Sequence, residues 1–432
     1  MRLFAERTFR IDTENALKVG PHIVRAEREI GAVIKLNLGE PDFSVPAHIK
    51  DEIKRQLDLD NTHYCDPQGL LTLRQAIAKQ ISTTRGLDIS PERVVVFPGG
   101  KPPIGLVQQV YCSPGNEVIY PSPGFPIYES FIRYVEGVPV PLHLDESSNF
   151  TFTSDQLLEL ITPLTKLIYL NFPSNPTGGV ASLEQLEAIA TVIRNHCPAE
   201  VRVYSDEIYE NILFDGRIHR SIASLAGMES RTIIASGFSK TYAWTGGRLG
   251  HAVFPTEEEA DVFKNLNINY FSCVPPYNQE AARVALESPL SVPAVRNMVE
   301  IFQERRDVVL ESLNRIEGIT CHKPAGAFYL FPNISGVCKS LGLIDYHQRM
   351  DVSDRKQTSP AGLFQMFALY HHGVAVLDRR SFGKLGSDGK HYLRLSTASD
   401  MEVLKEGVRR LHAAVEDHKG MKQFLDARPD IK

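Results

Sequence analysis

The sequence predicts an α/β protein: a large domain built on a mostly parallel sheet flanked by helices, and a smaller α+β domain beside it. Three observations predict it. From about residue 90 to 255, short apolar runs alternate with helix-period patterns. Past about residue 290 the alternation gives way to a long charged helical pattern, NMVEIFQERRDVVLESL, then PAGAFYLF and an irregular stretch from Lys339 to Pro360. A chain of 432 residues is also too long for one compact core.

The first 45 residues hold an amphipathic segment and then LNLGEPDF, and do not share the alternation. They are expected to pack against the C-terminal part, which gives a large domain over 46–290 and a small one from 1–45 and 291–432. The runs VVVF at Val94, VIY at Val118, LIYLN at Leu167, VRVYS at Val201 and TIIAS at Thr232 read as buried parallel strands, short and rich in β-branched residues. Between the third and fourth, ASLEQLEAIATVIRNH opens with Ser182 and Gln185 at capping-box spacing and carries Leu183, Leu186, Ile189 and Ile193 on one helix face. It reads as a crossover helix. The polar DVSDRKQTSP, from Asp351, reads as a surface loop.

Composition narrows the function classes. Hydrophobic residues at 43% and charged residues at 23% place the chain among globular proteins. A net charge of -5 argues against a nucleic-acid partner. The six cysteines form no C-x-x-C pair, so a reduced, cytoplasmic setting is expected. The opening residues lack a secretory apolar region and no segment reads as a membrane span. His371 and His372 are adjacent and point in different directions, so no metal site is expected.

In an open parallel sheet, ligands gather beyond the carboxyl ends of the strands. After VVVF come Pro98, Gly99, Gly100, Lys101 and Pro102, either a plain strand-to-helix turn or a backbone cradle for an anion. After LIYLN, the prolines and glycines of FPSNPTGG leave Asn175 as the pendant polar group. After VRVYS come Asp206, Glu207, Ile208 and Tyr209, either a solvated acidic pair or a carboxylate with a phenol at hand. After TIIAS come Gly237, Phe238, Ser239 and Lys240, then Gly246, Gly247 and Arg248. Alone, Lys240 would read as a surface charge.

Together NFPSNPTGG, YSDEIYENILFDG and SGFSKTYAWTGGRLGH, in this order and at these separations, resemble the signature of the fold-type-I pyridoxal-phosphate aminotransferases. LNLGEPDF, HYCDPQGLLTLR, GGK at Gly99, PSPGFPIY and YLRLSTAS extend the resemblance over nearly the whole chain. It implies a seven-stranded sheet and pyridoxal 5'-phosphate as cofactor. Lys240 would hold the cofactor as an internal aldimine, a Schiff base, and move the substrate's Cα proton. Asp206 would pair with the pyridine nitrogen, Asn175 and Tyr209 with the phenolic oxygen, and Phe125 would stack on the ring. The backbone at Gly99, Gly100 and Lys101 and the guanidinium of Arg248 would hold the phosphate. Tyr64 would reach it from the neighbouring subunit of a homodimer. Arg394 would grip the substrate's α-carboxylate, with Gly39 and Asn175 beside it. Taken without the family, Arg394 reads as an ordinary surface arginine.

The pattern is broken in places. A phosphate-binding serine is often found where Gly237 stands, with Ser236 and Ser239 as substitutes. A tryptophan is frequent where Gly247 stands, and the usual GGKQA reads GGKPP through Pro102. Asp378, Arg379 and Arg380 replace a proline-glycine turn; such charges either meet a substrate side chain or face water, and water is expected. The resemblance implies an aminotransferase exchanging an amino group between an L-amino acid and a 2-oxo acid. The alternative on the same residues is a lyase, cyclase or oxidase of amino acids, because the carbanion's fate is set by nearby groups.

Overall fold

The five apolar runs are all strands of one seven-stranded sheet. The computed structural model describes residues 3–12, 14–387 and 389–427. The sheet comprises β1 (Val94–Phe97), β2 (Glu117–Ser122), β3 (Val138–His143), β4 (Thr165–Asn171), β5 (Arg202–Asp206), β6 (Thr232–Gly237) and β7 (Gly250–Val253). Their spatial order is β1-β7-β6-β5-β4-β2-β3. Only β7 runs antiparallel to its neighbours, so the sheet is mostly parallel.

Two of these strands have no clear sequence signal. β3 reads VPVPLH and sits at the sheet's edge, where Pro139 and Pro141 need not donate to a second neighbour. β7 reads GHAV, too short and too mixed to stand out, and its register is set by the strands it lies between.

Helices cover both faces, as parallel strands require. Ser182 and Gln185 form the reciprocal capping box that starts the Leu183–His196 helix. That helix buries Leu186, Ile189 and Ile193 against Ile168 and Leu170 of β4 and Val203 of β5. Leu183, in the uncovered first turn, is 38% exposed instead. The alternate residues of the same strands, Leu167, Tyr169 and Tyr204, meet Leu106 and Val107 of the Pro102–Tyr111 helix and Phe263 of Glu257–Phe271 on the other face. Each fully buried leucine or isoleucine contributes roughly 1.5–3 kcal/mol.

A separate core joins both ends of the chain. Val19, Ile23, Ala26 and Leu36 pack with Leu313, Leu363, Phe367, Leu404 and Leu411. The strand Ile34–Lys35 pairs in parallel with Val374–Ala375. Beside it, Leu377–Asp378, Leu393–Ser396 and Tyr329–Leu330 form a three-stranded sheet with Leu393–Ser396 in the middle.

The stretch from Lys339 to Pro360 is helical rather than irregular. Helices Ser335–Ser340, Leu343–Arg349 and Val352–Arg355 follow one another, the first two parted by Gly342 at φ 68°. Pieces of four to seven residues show too few turns for a periodic pattern. Within DVSDRKQTSP the polar residues are mostly exposed, with one helical turn at Val352–Arg355.

Candidate active site

Register places the strand ends side by side: Asn171 lies opposite Asp206, and Asp206 opposite Ala235. Antiparallel β7 then sets Gly250 opposite both Gly237 of β6 and Phe97 of β1. The glycine turn after β1 and the lysine segment after β6 are thereby brought to the same edge. A cavity of ≈ 370 Å³ opens there. Gly39, Gly100, Lys101, Phe125, Asn175, Asp206, Tyr209, Lys240, Arg248 and Arg394 all line it.

Lys240 stands in the one-turn helix Phe238–Thr241 at the end of β6. Its Nζ donates to the Gly39 carbonyl and lies 5.8 Å from the centre of the Phe328 ring. Burial, and then the charge of Arg394, lower its pKa to about 8. The amine is therefore far closer to its neutral, nucleophilic form than a surface lysine. Gly39 must be glycine for the chain to pass, because a Cβ there would lie 2.0 Å from the Tyr329 hydroxyl.

Asp206 ends β5 and is 8% exposed. Tyr128 Oη donates to Oδ2 at 2.6 Å and the Ile208 N–H to Oδ1 at 3.3 Å, and no cation among the described residues meets it. Burial raises its pKa to about 6, against the pull of those two hydrogen bonds. Such a carboxylate favours a cationic N–H placed beside it. Behind this turn, Glu207 is fully enclosed: Arg85 Nη2 and His219 Nε2 lie at 2.8 Å, and Ser205 donates at 2.9 Å. Arg85 also pairs with Glu210, and Ser236 Oγ donates to Glu210 at 2.7 Å. Burial alone would raise the Glu207 pKa, but His219 and Arg85 hold it well below the usual carboxylate range.

Arg394, in the middle strand of the small sheet, is 4% exposed. Its Nη1 donates to Asn175 Oδ1 at 3.1 Å and its Nη2 to the Asn37 carbonyl, while its buried Nε has no hydrogen-bond partner among the described residues. The guanidinium lies 4.5 Å from the Tyr329 ring centre and 4.8 Å from that of Phe382. It is no surface arginine: a buried cation stacked between rings and lacking a bonded carboxylate is built to accept one. Asn175 is held in turn by its own N–H, which donates to Asn171 Oδ1 at 2.9 Å. Tyr209 exchanges a 2.8 Å hydrogen bond with Tyr329.

Two expected residues fall outside the cavity wall. Gly99 lies just behind it at φ 102°, and a Cβ there would meet Arg248 Nη2 at 2.2 Å, so the glycine lets the guanidinium lie flat on the turn. Arg248 is fixed by donation from Nη1 to the Thr245 carbonyl at 2.7 Å. Tyr64 is 87% exposed and away from the cavity.

The broken positions have local reasons. A side chain at Gly237 would press on the Leu249 carbonyl at 3.0 Å, so no serine fits without movement. Of the two substitutes, Ser239 lines the cavity, whereas Ser236 is committed to Glu210. At Gly247 a Cβ would lie 2.2 Å from the Trp244 indole, so the chain's single tryptophan fills that space from three residues upstream. Pro102 opens the Pro102–Tyr111 helix, where its missing N–H costs nothing.

The expectation that Asp378, Arg379 and Arg380 face water is wrong for the first two. Asp378 and Arg379 are 7% and 2% exposed. Asp378 accepts from Ser381 Oγ at 2.7 Å and Ser359 Oγ at 3.0 Å, and Arg379 donates to the Gly383 carbonyl and to Ser122 Oγ. Arg380 donates to the carbonyls of Thr358 and Lys356. All three hold the turn that presents Ser381 and Phe382 to the cavity.

Several wall residues were not singled out in the sequence. Tyr128 and Tyr329 lie inside the quoted PSPGFPIY and PAGAFYLF, so their motifs were visible although their contacts were not. Glu14, Asn15, Ala16 and Leu17 also line the cavity, from an amphipathic segment with no motif at all.

Among the described residues, no helix is long and apolar enough to cross a membrane. The family model for aminotransferase class I and II matches residues 32–411. An aspartate aminotransferase of Pyrococcus abyssi is 35% identical over 93% of this chain and 97% of its own length. Aromatic-amino-acid aminotransferase 2 of Thermococcus litoralis is 34% identical over 90% of this chain and 93% of its own. The crystal structure of the aspartate aminotransferase of Rhizobium meliloti superimposes with a TM-score of 0.86 at 32% identity, covering 96% of this chain and 99% of that one. Such relatives do not favour the lyase, cyclase or oxidase alternative. With its mostly parallel seven-stranded sheet and matching sequence, the chain belongs to the class I and II aminotransferases, enzymes that depend on pyridoxal phosphate.

Proposed function

We propose that this cavity is where the chain exchanges an amino group between an L-amino acid and a 2-oxo acid, with pyridoxal phosphate held by the residues named above. The observation that carries the proposal is the convergence in one cavity of a buried amine, Lys240, a buried carboxylate without a cation, Asp206, and a buried guanidinium awaiting an anion, Arg394.

The donor set fits the cofactor. Asp206 suits a protonated ring nitrogen, Asn175 and Tyr209 a phenolic oxygen, and Phe125 the ring face. The backbone at Gly100 and Lys101, with Ser239, Arg248 and Gly99 beneath the guanidinium, suits a phosphate. Bound there, the cofactor supplies an electron sink for the substrate's Cα–H bond. The chain's own residues do the rest. Arg394 takes the α-carboxylate and so fixes which Cα bond faces Lys240. The Lys240 Nζ, with its pKa near 8, takes up the Cα proton and returns it.

A homodimer completes the reading. Tyr64, too exposed in one protomer to serve a role there, crosses to the neighbouring cavity. The six free cysteines are in keeping with a reduced cytoplasm. The names of the relatives make aspartate and aromatic amino acids the first donors to try.

The test is a visible spectrum of the loaded protein before and after single L-amino acids, with no oxo acid present. Loss of the cofactor band, with one equivalent of 2-oxo acid per site, is expected. A band that persists while ammonia accumulates would replace this reading with the elimination chemistry.

A further inference from the structure

The cavity has one more cation than the exchange of amino groups requires, and it is already paired. Lys240 serves the amine, Arg394 the α-carboxylate and Arg248 the phosphate, which leaves the side chain of Lys101, whose backbone alone is asked of the phosphate; it lies 5.7 Å from the centre of the Phe125 ring. Its Nζ is bonded to the Glu14 carboxylate, which reaches in from the N-terminal segment. The Glu14 side chain is 19% exposed and that of Lys101 46%, and the Glu14 charge is felt at Lys240, Arg394 and Tyr329. The same cavity wall also carries apolar side chains, Leu17, Leu38, Leu377 and Phe382 among them.

A second carboxylate on the substrate would need Lys101. It would meet Glu14 there first, and a like charge set beside the pair disfavours that partner. An uncharged apolar or aromatic side chain leaves the pair intact and covers it with hydrocarbon.

We infer that Glu14 is a specificity-determining residue: by occupying Lys101 it selects substrates with uncharged, apolar side chains over those with a second carboxylate. This rests on the amino-group exchange proposed above.

The test compares kcat/KM for L-aspartate with that for L-leucine and L-phenylalanine, each ratio taken within one cofactor-loaded protein so that loading cancels. Glu14→Gln is expected to raise the aspartate ratio about tenfold, because Lys101 is freed and the repulsion removed. Lys101→Met is expected to move the ratio the opposite way, because Glu14 is left uncompensated. Both variants break the same ion pair, so a segment that is merely loosened would shift both ratios in one direction. That result, or a Glu14→Gln ratio within twofold of the parent, would overturn the assignment. If none of the three amino acids converts the cofactor in the parent protein, the exchange reading itself fails instead.

Discussion

The two walls of the cavity are held in different ways. The wall that carries Asn175, Asp206 and Lys240 grows from the ends of three adjacent parallel strands. The turn after β5 is braced from behind by the enclosed Arg85–Glu207–Glu210 cluster, with side chains 1–9% exposed. The wall that carries Glu14 to Leu17 is tied down by ion pairs that water reaches. Lys18 and Lys384 both hold Asp12, at side-chain exposures of 50%, 59% and 33%, and Asn15 donates to Ser381 at 3.1 Å. Breaking an enclosed pair leaves a bare charge, whereas exposed pairs are screened and weak. The groups proposed to react sit on the wall that resists change, and those proposed to face the substrate's side chain sit on the one that yields.

Substitutions can break that contrast, beginning with the strongest. Lys240→Met should lower turnover by at least about 10⁴-fold, since it removes both the cofactor's attachment and the proton carrier; near-normal turnover would end the assignment. The same variant, stripped of cofactor, should melt higher than the parent at pH 7. The parent's Lys240 titrates near 8 when folded against an ordinary 10.5. Below pH 8 the cost of burying its charge is fully present, and it is relieved as pH rises from 8 to 10.5. The gap in melting temperature should close over that window.

Arg85→Ala should cost about 3–5 kcal/mol, seen as a lower urea midpoint, because Glu207 and Glu210 lose their shared cation. A shift as small as that of a surface variant would mean the brace is no brace. Arg394→Ala should raise KM for amino acids about 10²-fold, the loss of an enclosed charge pair, and leave cofactor affinity within about twofold. Lys18→Ala should change KM by no more than about threefold, as an exposed pair worth under about 1 kcal/mol allows, and 0.5 M salt should reproduce its effect. A larger effect would show the N-terminal wall to be as firmly held as the other.

What was legible in the sequence follows the same division. The interior parallel strands are buried on both faces, so their β-branched runs announced them, and the residues just beyond their ends named most of the wall. β3 and β7 were not legible, because an edge strand tolerates Pro139 and Pro141 and a four-residue strand such as GHAV takes its register from its neighbours. Asp378 and Arg379 looked like surface charges because their partners, Ser359 and Ser122, are 19 and 257 residues away in sequence. Trp244 filling the space at Gly247 is likewise a fact of three dimensions only. Glu14 offered no signal: an acidic residue in an amphipathic segment reads as solvated.

The reversed direction of β7 has a consequence for how the site is assembled from a chain. Because β7 starts at the edge where β6 ends, the segment carrying Lys240 and Arg248 closes between Gly237 and Gly250, a short loop with little entropy to lose. The clamp around Arg394 closes across far greater spans: its bond to Asn175 joins residues 219 apart and its bond to Asn37 residues 357 apart. Contacts of that separation carry a larger loop-closure cost. The segment carrying Lys240 and Arg248 can thus close on itself before the chain's two ends have met, whereas the clamp around Arg394, and the Lys240 bond to Gly39, cannot form until they do.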